Sequence, residues 1–289
     1  MLDIVHHVLA AQNILGEGPI WNAEHEALYW VDIVGQKINR LWPGNGKTES
    51  FEVNDQIGVI AFRENGGVIA AGARGFSYWK GGSNELEFLV DPEACKPGSR
   101  FNDGKVDRKG RFWAGTMTPQ GAVSALYRLD ADHTIHTIQT GITISNGIGW
   151  SLDNSIMYYV DSLKYVIIAF DFDFESGAIS SRRDFVKVTE EYGIPDGLTV
   201  DGEGYIWCAF YGGGKVTRFD PQGNIDREIA MPVSNPTSCA FGGKNYDQLY
   251  VTSAWEREND PNREQDAMAG DLFMIETGIK GLPESSFGG

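Results

Sequence analysis

Two carboxylates and two carboxamides, Glu17, Asp196, Asn102 and Asn146, fall at nearly the same point of a recurring sequence unit. A structural repeat superposes equivalent positions around an axis, so residues far apart in the chain converge. Four side-chain oxygens meeting there would cage a hard divalent cation. Such a donor set suits Ca²⁺, Mg²⁺ or Mn²⁺ better than zinc or copper. Counted back from an aromatic marker, Glu17 lies 12 residues before Tyr29 and Asn146 lies 12 before Tyr158. Asp196 lies 11 before Trp207, and Asn102 lies 11 before Trp113. Glu17, Asn146 and Asp196 each precede glycine, which lets backbones crowd near an axis. In the third unit the glycine rule selects Asp103, before Gly104, whereas the marker count selects Asn102. Neighbouring strand residues face opposite ways, so one of the two points inward. Turn formation alone explains a polar residue before glycine in one unit. It does not explain four units in register, nor Glu17.

The elements that must position these residues read directly from the chain. The runs Ala27-Leu28-Tyr29-Trp30-Val31, Gly67-Val68-Ile69-Ala70, Arg111-Phe112-Trp113-Ala114, Ile156-Met157-Tyr158-Tyr159, Tyr205-Ile206-Trp207-Cys208 and Gln248-Leu249-Tyr250-Val251 are alike. Their third residues stand at 29, 69, 113, 158, 207 and 250, with spacings of 40, 44, 45, 49 and 43. Before each marker comes an apolar strand such as Pro19-Ile20-Trp21, Gly147-Ile148-Gly149-Trp150 or Gly197-Leu198-Thr199-Val200. After it come a third strand, such as Lys37–Leu41, Leu126–Leu129 or Lys215–Phe219, a turn, and a short fourth strand. Asp-Gly, Asn-Gly and Pro-Gln-Gly turns punctuate hairpins. No window carries helical periodicity over ten or more residues. The pattern predicts an all-β chain: a six-bladed β-propeller, four antiparallel strands per blade, as one domain over residues 1–289.

Composition bounds the function classes. With 24 Lys+Arg against 40 Asp+Glu, the chain carries a formal charge of −16 and lacks the basic balance expected of a nucleic-acid or anionic-membrane partner. The N-terminus has no basic n-region and no 18-residue apolar run exists, so neither signal peptide nor membrane span is expected. Cys95, Cys208 and Cys239 form no CxxC pair and read as small buried or incidental residues, which fits a cytoplasmic location. The acidic stretch Glu256–Asp266 lacks the glycine and spacing of an EF-hand and reads as a solvated loop. Gly44-Asn45-Gly46-Lys47-Thr48 imitates the tail of a phosphate loop but has Leu41 where the first glycine belongs, and it falls in a hairpin turn. No GxSxG elbow or HExxH pair occurs, and His6, His7, His25, His133 and His136 stand away from the channel register.

Several separated motifs occur in one order: Leu15-Gly16-Glu17-Gly18-Pro19-Ile20-Trp21, Arg100-Phe101-Asn102-Asp103-Gly104, Gly110-Arg111-Phe112-Trp113-Ala114-Gly115-Thr116-Met117, Ser145-Asn146-Gly147 and Pro195-Asp196-Gly197-Leu198. Through them, and through Gly281–Phe287, the chain resembles the SMP-30/gluconolactonase/regucalcin-like family over its whole length. The resemblance implies a six-bladed propeller with one divalent cation in the channel, Ca²⁺ first and Mn²⁺, Mg²⁺ or Zn²⁺ as alternatives. It implies Glu17, Asn146 and Asp196 as metal ligands. Asn102 matches a position that ligates directly or through water and touches substrate, which favours it over Asp103, and Arg100 matches a residue that holds substrate oxygens. The implied activity is hydrolysis of a sugar lactone, an aldono-1,4- or 1,5-lactone, to the aldonic acid. In that chemistry a metal-polarised carbonyl is attacked by water, and Asp196 is the base expected to take the proton.

The loop after Gly115-Thr116-Met117 is short here, Thr118-Pro119-Gln120-Gly121-Ala122, and carries no carboxylate, where some members have a longer acidic one. Two rival readings stand beside the lactonase. One is a phosphotriesterase resembling diisopropyl-fluorophosphatase, which the Arg100–Gly104 segment fits less well. The other is a non-catalytic metal-binding propeller. The expected partner is a small-molecule lactone, with the chain a monomer or weak homo-oligomer.

Overall fold

The computed structural model describes residues 4–119, 123–255 and 266–289. Most of the expected acidic loop (256–265) and part of the short loop (120–122) lie outside the described residues. Strand β1 (Ile4–Leu9) comes first, followed by β2 (Gly16–Asn22), β3 (Ala27–Asp32), β4 (Lys37–Trp42) and β5 (Lys47–Glu52). Then come β6 (Val59–Phe62), β7 (Val68–Gly72), β8 (Gly75–Trp79) and β9 (Glu87–Val90). The next set is β10 (Arg100–Val106), β11 (Phe112–Met117), β12 (Ser124–Leu129) and β13 (Ile135–Ile142). It is followed by β14 (Ser145–Trp150), β15 (Ile156–Asp161), β16 (Val166–Phe172) and β17 (Ile179–Lys187). The chain continues through β18 (Ile194–Val200), β19 (Ile206–Tyr211), β20 (Lys215–Phe219) and β21 (Ile225–Ala230), then β22 (Pro236–Gly242), β23 (Gln248–Ser253) and β24 (Leu272–Glu276).

Each consecutive set of four from β2 to β21 is an antiparallel sheet, forming blades 1 to 5. The sixth sheet has the order β22-β23-β24-β1, so the N-terminal strand supplies the outer edge of the last blade. The sequence markers did not reveal that closure, because only two strands follow β22 before the chain leaves the sheet. The innermost strands β2, β6, β10, β14, β18 and β22 each contact the next, and β22 returns to β2. The architecture is a six-bladed β-propeller, and every marker aromatic sits on the second strand of its blade.

The marker strands are apolar on both faces because each face packs on a different neighbour. Tyr29 and Val31 of β3 join a cluster with Ile60, Val68 and Trp79 of blade 2, whereas Leu28 and Trp30 join Tyr250 and Leu272 of blade 6. The same alternation sends Trp113 towards blade 4 and Phe112 towards blade 2. Six such clusters fill the six gaps between blades, so the core is a ring of wedges.

The end of the ring away from the four polar positions is fastened by buried carboxylates. Asp107 and Asp201 each begin an Asp-x-x-Gly-x-x-Trp stretch and accept the indole N–H of Trp113 and Trp207 at 2.8 and 2.9 Å. The C-terminal segment crosses this end: Gly202 N donates to Lys280 O, Phe287 N to Phe62 O, and Gly288 N to Gly110 O. Phe287 is fully buried there. Gly44–Gly46 is the β4–β5 turn, as the sequence suggested. No helix among the described residues is long and apolar enough to cross a membrane.

Candidate active site

The inner strands that carry the four polar residues are irregular at the point where each residue sits. Pairing with the second strand slips between Glu17 and Ile20 in β2 and between Phe101 and Asp103 in β10. It slips again between Ser145 and Ile148 in β14 and between Pro195 and Leu198 in β18. A β-bulge of this kind places an extra residue on one strand and re-aims its side chain. Gly18, at φ +53°, takes the left-handed turn in β2. Gly147 lies so close to the next blade that a Cβ would stand 2.7 Å from Leu198 N and 2.8 Å from Asp196 O. Gly147 thus allows the close approach of backbones expected from the sequence, whereas Gly18 serves the turn and is not crowded.

Lying within these bulges or, for Glu17, at the edge of one, Glu17, Asn102, Asn146 and Asp196 line one cleft of about 260 Å³, together with Arg100. All four are buried. The structure brings Asn102, the bulged residue of β10, into this cleft. Asp103 faces a separate small cavity further along the channel, with Lys105 and Glu284. Lys105 Nζ meets Glu284 Oε1 at 3.0 Å, and Asp103 accepts Gly104 N–H at 2.6 Å. Burial pushes the Asp103 carboxyl up to about 6, against the Gly104 N–H and Lys105, with Glu284 adding to the rise.

Inside the cleft a chain of hydrogen bonds fixes the amides. Arg100 Nη1 donates to Asn102 Oδ1 at 2.6 Å and to Phe101 O at 3.1 Å. Asn102 Nδ2 donates to Ser145 O at 2.8 Å and to Asn146 Oδ1 at 3.3 Å. Asn146 Nδ2 donates to Ser162 Oγ at 2.9 Å, and Ser162 donates onward to Pro195 O at 2.8 Å. Ser162 thus sets the amide of Asn146 so that Oδ1 looks into the cleft. The sequence reading missed Ser162, although it directly follows the end of a marker strand. It also missed the apolar walls, Leu15, Met117, Ile144, Leu163 and Ile194, with Tyr211. The donor set is oxygen-only: the histidines bond elsewhere, to Glu276, Asp271, Tyr29, Tyr78 and Asp130. Among the described residues no three His, Cys, Asp or Glu side chains cluster as a metal site, so the cleft has only the two carboxylates with carboxamides beside them. This composition fits a hard cation.

Ahead of β10 lies another buried carboxylate, Glu93. Glu93 accepts Lys96 Nζ at 2.6 Å and Tyr127 OH at 2.8 Å, and its other oxygen accepts Ser99 Oγ. Burial pushes Glu93 up, but the donations from Lys96, Ser99 and Tyr127 outweigh it and leave the carboxyl below the usual range. A depressed folded value means stability that is present above the ordinary glutamate pKa and lost as pH falls through the lowered one. Urea midpoints followed from about pH 7 to about pH 3 should therefore fall more steeply for the unaltered chain than for Glu93→Gln. At neutral pH Glu93→Gln should cost about 2 kcal/mol. Parallel curves would remove Glu93 as the source.

Cys208 and Cys239 are buried thiols and Cys95 is exposed. Burial pushes Cys208 up and Cys239 up to about 12, so both are inert at neutral pH.

Residues 15–255 match the profile of the SMP-30/Gluconolactonase/LRE-like region. The chain belongs to that family. A regucalcin of Danio rerio is 38% identical over 291 residues, covering 99% of this chain and 98% of that protein. Among solved structures, a luciferin-regenerating enzyme superposes with a TM-score of 0.93 at 30% identity, covering 99% of this chain and 100% of that one. A calcium-binding regucalcin from Agrobacterium tumefaciens also superposes at 0.93, at 25% identity and 97% and 96% coverage. Membership supports a lactonase-type function, and the matched span contains the residues that line the cleft.

Proposed function

We propose that the chain is a divalent-metal-dependent lactonase that opens an aldono-1,4- or 1,5-lactone to the aldonic acid. The observation that carries this reading is the convergence of Glu17, Asn146, Asp196, Asn102 and Arg100 on one cleft in a member of a gluconolactonase family. Glu17, Asn146 and Asp196 would hold the cation, with Asn102 bridging Asn146 and Arg100. Ca²⁺ is the first candidate, supported by the regucalcin relatives and the calcium-binding neighbour, with Mn²⁺, Mg²⁺ or Zn²⁺ as alternatives. When bound, the cation acts as Lewis acid on the lactone carbonyl.

The chain's own residues do the rest. Arg100 presents planar donors at the cleft wall to the ring or hydroxyl oxygens of the substrate. Asn102, fixed at both ends of its amide, keeps that guanidinium next to Asn146. Asp196 takes a proton from the attacking water as the water oxygen bonds to the carbonyl carbon. The acyl–oxygen bond of the ring then breaks, and the proton passes to the departing ring oxygen. The apolar walls limit the water that competes around the carbonyl. We place the enzyme in the cytoplasm as one propeller domain, in keeping with its free buried thiols.

The test is a pH-indicator hydrolysis assay on a panel of aldonolactones and one phosphotriester, with and without EDTA. Lactone turnover should disappear on chelation and return with an excess of one of the four cations. Turnover that survives exhaustive chelation would contradict the metal reading. Turnover of the phosphotriester alone would select the rival hydrolase, and none on any substrate would leave a binding propeller.

A further inference from the structure

Three residues beyond the marker in each blade stand Asp32, Gly72, Thr116, Asp161, Phe210 and Ser253. Only blades 1 and 4, opposite each other in the ring, carry a carboxylate at this position, and both are buried. Asp32 Oδ1 accepts Leu15 N at 3.0 Å and Gly35 N at 2.9 Å, and Oδ2 accepts Ile14 N at 3.1 Å. Asp161 Oδ1 accepts Thr143 N at 3.0 Å and also the Thr143 hydroxyl, while Oδ2 meets Lys164 Nζ at 2.7 Å. Both carboxylates therefore reach back to the chain just ahead of the inner strand of their own blade. Leu15 lies two residues before Glu17, and Thr143 lies three before Asn146.

The need for such a clamp follows from the bulges. A regular ladder fixes each side chain through its neighbours on both sides, but a bulge interrupts the ladder at the residue it re-aims. Beyond the bulge, Ile20↔Tyr29 and Ile148↔Tyr159 resume the pairing. Ahead of it the ladder keeps only Glu17↔Val31 and the end pair Gly16↔Asp32 in blade 1, and only the end pair Ser145↔Asp161 in blade 4. The residues that end the ladder are the same two that carry the clamping carboxylates. We infer that Asp32 and Asp161 are paired positioning residues, which fix the approach of the chain to the bulges and so aim Glu17 and Asn146 into the cleft. The inference rests on Glu17 and Asn146 holding a cation.

The fold contains its own control. Asp201 is equally buried and accepts two backbone N–H groups, but it lies at the opposite end of its blade, holding Trp207 and Arg218. Calorimetric titration of the full chain with CaCl₂ and with MnCl₂ should show Asp32→Asn and Asp161→Asn binding the cation about ten-fold or more weakly, the range typical of groups that orient ligands. Thr143→Val, which removes the hydroxyl's donation to Asp161 and its acceptance from Leu163 N but no charge, should weaken binding by a smaller factor. Asp201→Asn should lower the melting temperature and leave affinity within about two-fold. If all the variants lose stability while cation affinity holds, the carboxylates are structural and the proposal is overturned. Loss of affinity in Asp201→Asn as well would overturn it too, as an effect of general loosening. Should Asp32→Asn or Asp161→Asn fail to fold, Thr143→Val decides: unchanged affinity overturns the inference for blade 4. Absence of cation binding by the unaltered chain would sink the cation reading of the cleft itself, and this proposal with it.

Discussion

Asp196→Asn is expected to lower kcat for lactone hydrolysis by about two to four orders of magnitude, the usual worth of a positioned general base. The substitution is nearly isosteric, and the backbone of β18 is held on both sides of Asp196 by Pro195↔Phe210 and Leu198↔Cys208, so the blade should keep its shape. Melting temperature and circular dichroism check that point. A simple ligand role would also weaken cation binding, and the comparison with Glu17→Gln separates the two. Glu17 is asked only to hold the cation, so its variant should recover most of its activity at high cation concentration. Asp196→Asn should stay slow at any concentration, because the amide cannot accept the proton from water. Near-normal turnover of Asp196→Asn at saturating cation would end its assignment as base.

Much of this site was legible in the chain before any coordinates. The markers at 29, 69, 113, 158, 207 and 250 all lie on second strands, because only a strand packed on both faces needs an unbroken apolar run. The fixed distance from marker to polar residue survived because both belong to one hairpin. The choice between Asn102 and Asp103 was not legible from spacing, since a bulge is defined by what stands opposite, and the slip at Phe101/Asp103 appears only once β11 is paired. The first strands also begin earlier than their apolar residues suggest: β2 starts at Gly16, ahead of Pro19-Ile20-Trp21. Glu17 is polar and lies within a strand, which alternation alone would have assigned to a turn. Ser162, Asp32 and Asp161 escaped for another reason. Each acts through hydrogen bonds to a segment 16 to 33 residues away in sequence, and no local pattern encodes such a partner. The closure of blade 6 by β1 is the longest-range feature, joining Ile4 to Glu276.

At the other end of the ring, Arg218→Met is expected to destabilise the fold by about 3–5 kcal/mol, the cost of leaving a buried charge without its partner. Arg218 is almost wholly buried and contacts three carboxylates: Asp201 at 2.8 and 2.9 Å, Glu203 at 2.6 Å and Asp226 at 2.9 Å. Its guanidinium also lies 3.7 Å from the centre of the Tyr205 ring. Burial alone would lower its pKa, but the three carboxylates outweigh that and hold it above the ordinary arginine value. Methionine preserves most of the volume, so the loss isolates the charge. Without it Asp201, with no solvent exposure, keeps the Trp207 indole and two backbone N–H groups but no cation. The melting temperature should fall on the order of 10 °C, while kcat and KM measured well below the transition stay close to normal, because the cleft lies at the opposite end of the blades. Arg183→Ala, which breaks an exposed pair with Asp171 at 2.7 Å, should leave the melting temperature unchanged. Equal losses from the two variants would show that burial of the Arg218 network contributes nothing beyond a surface ion pair.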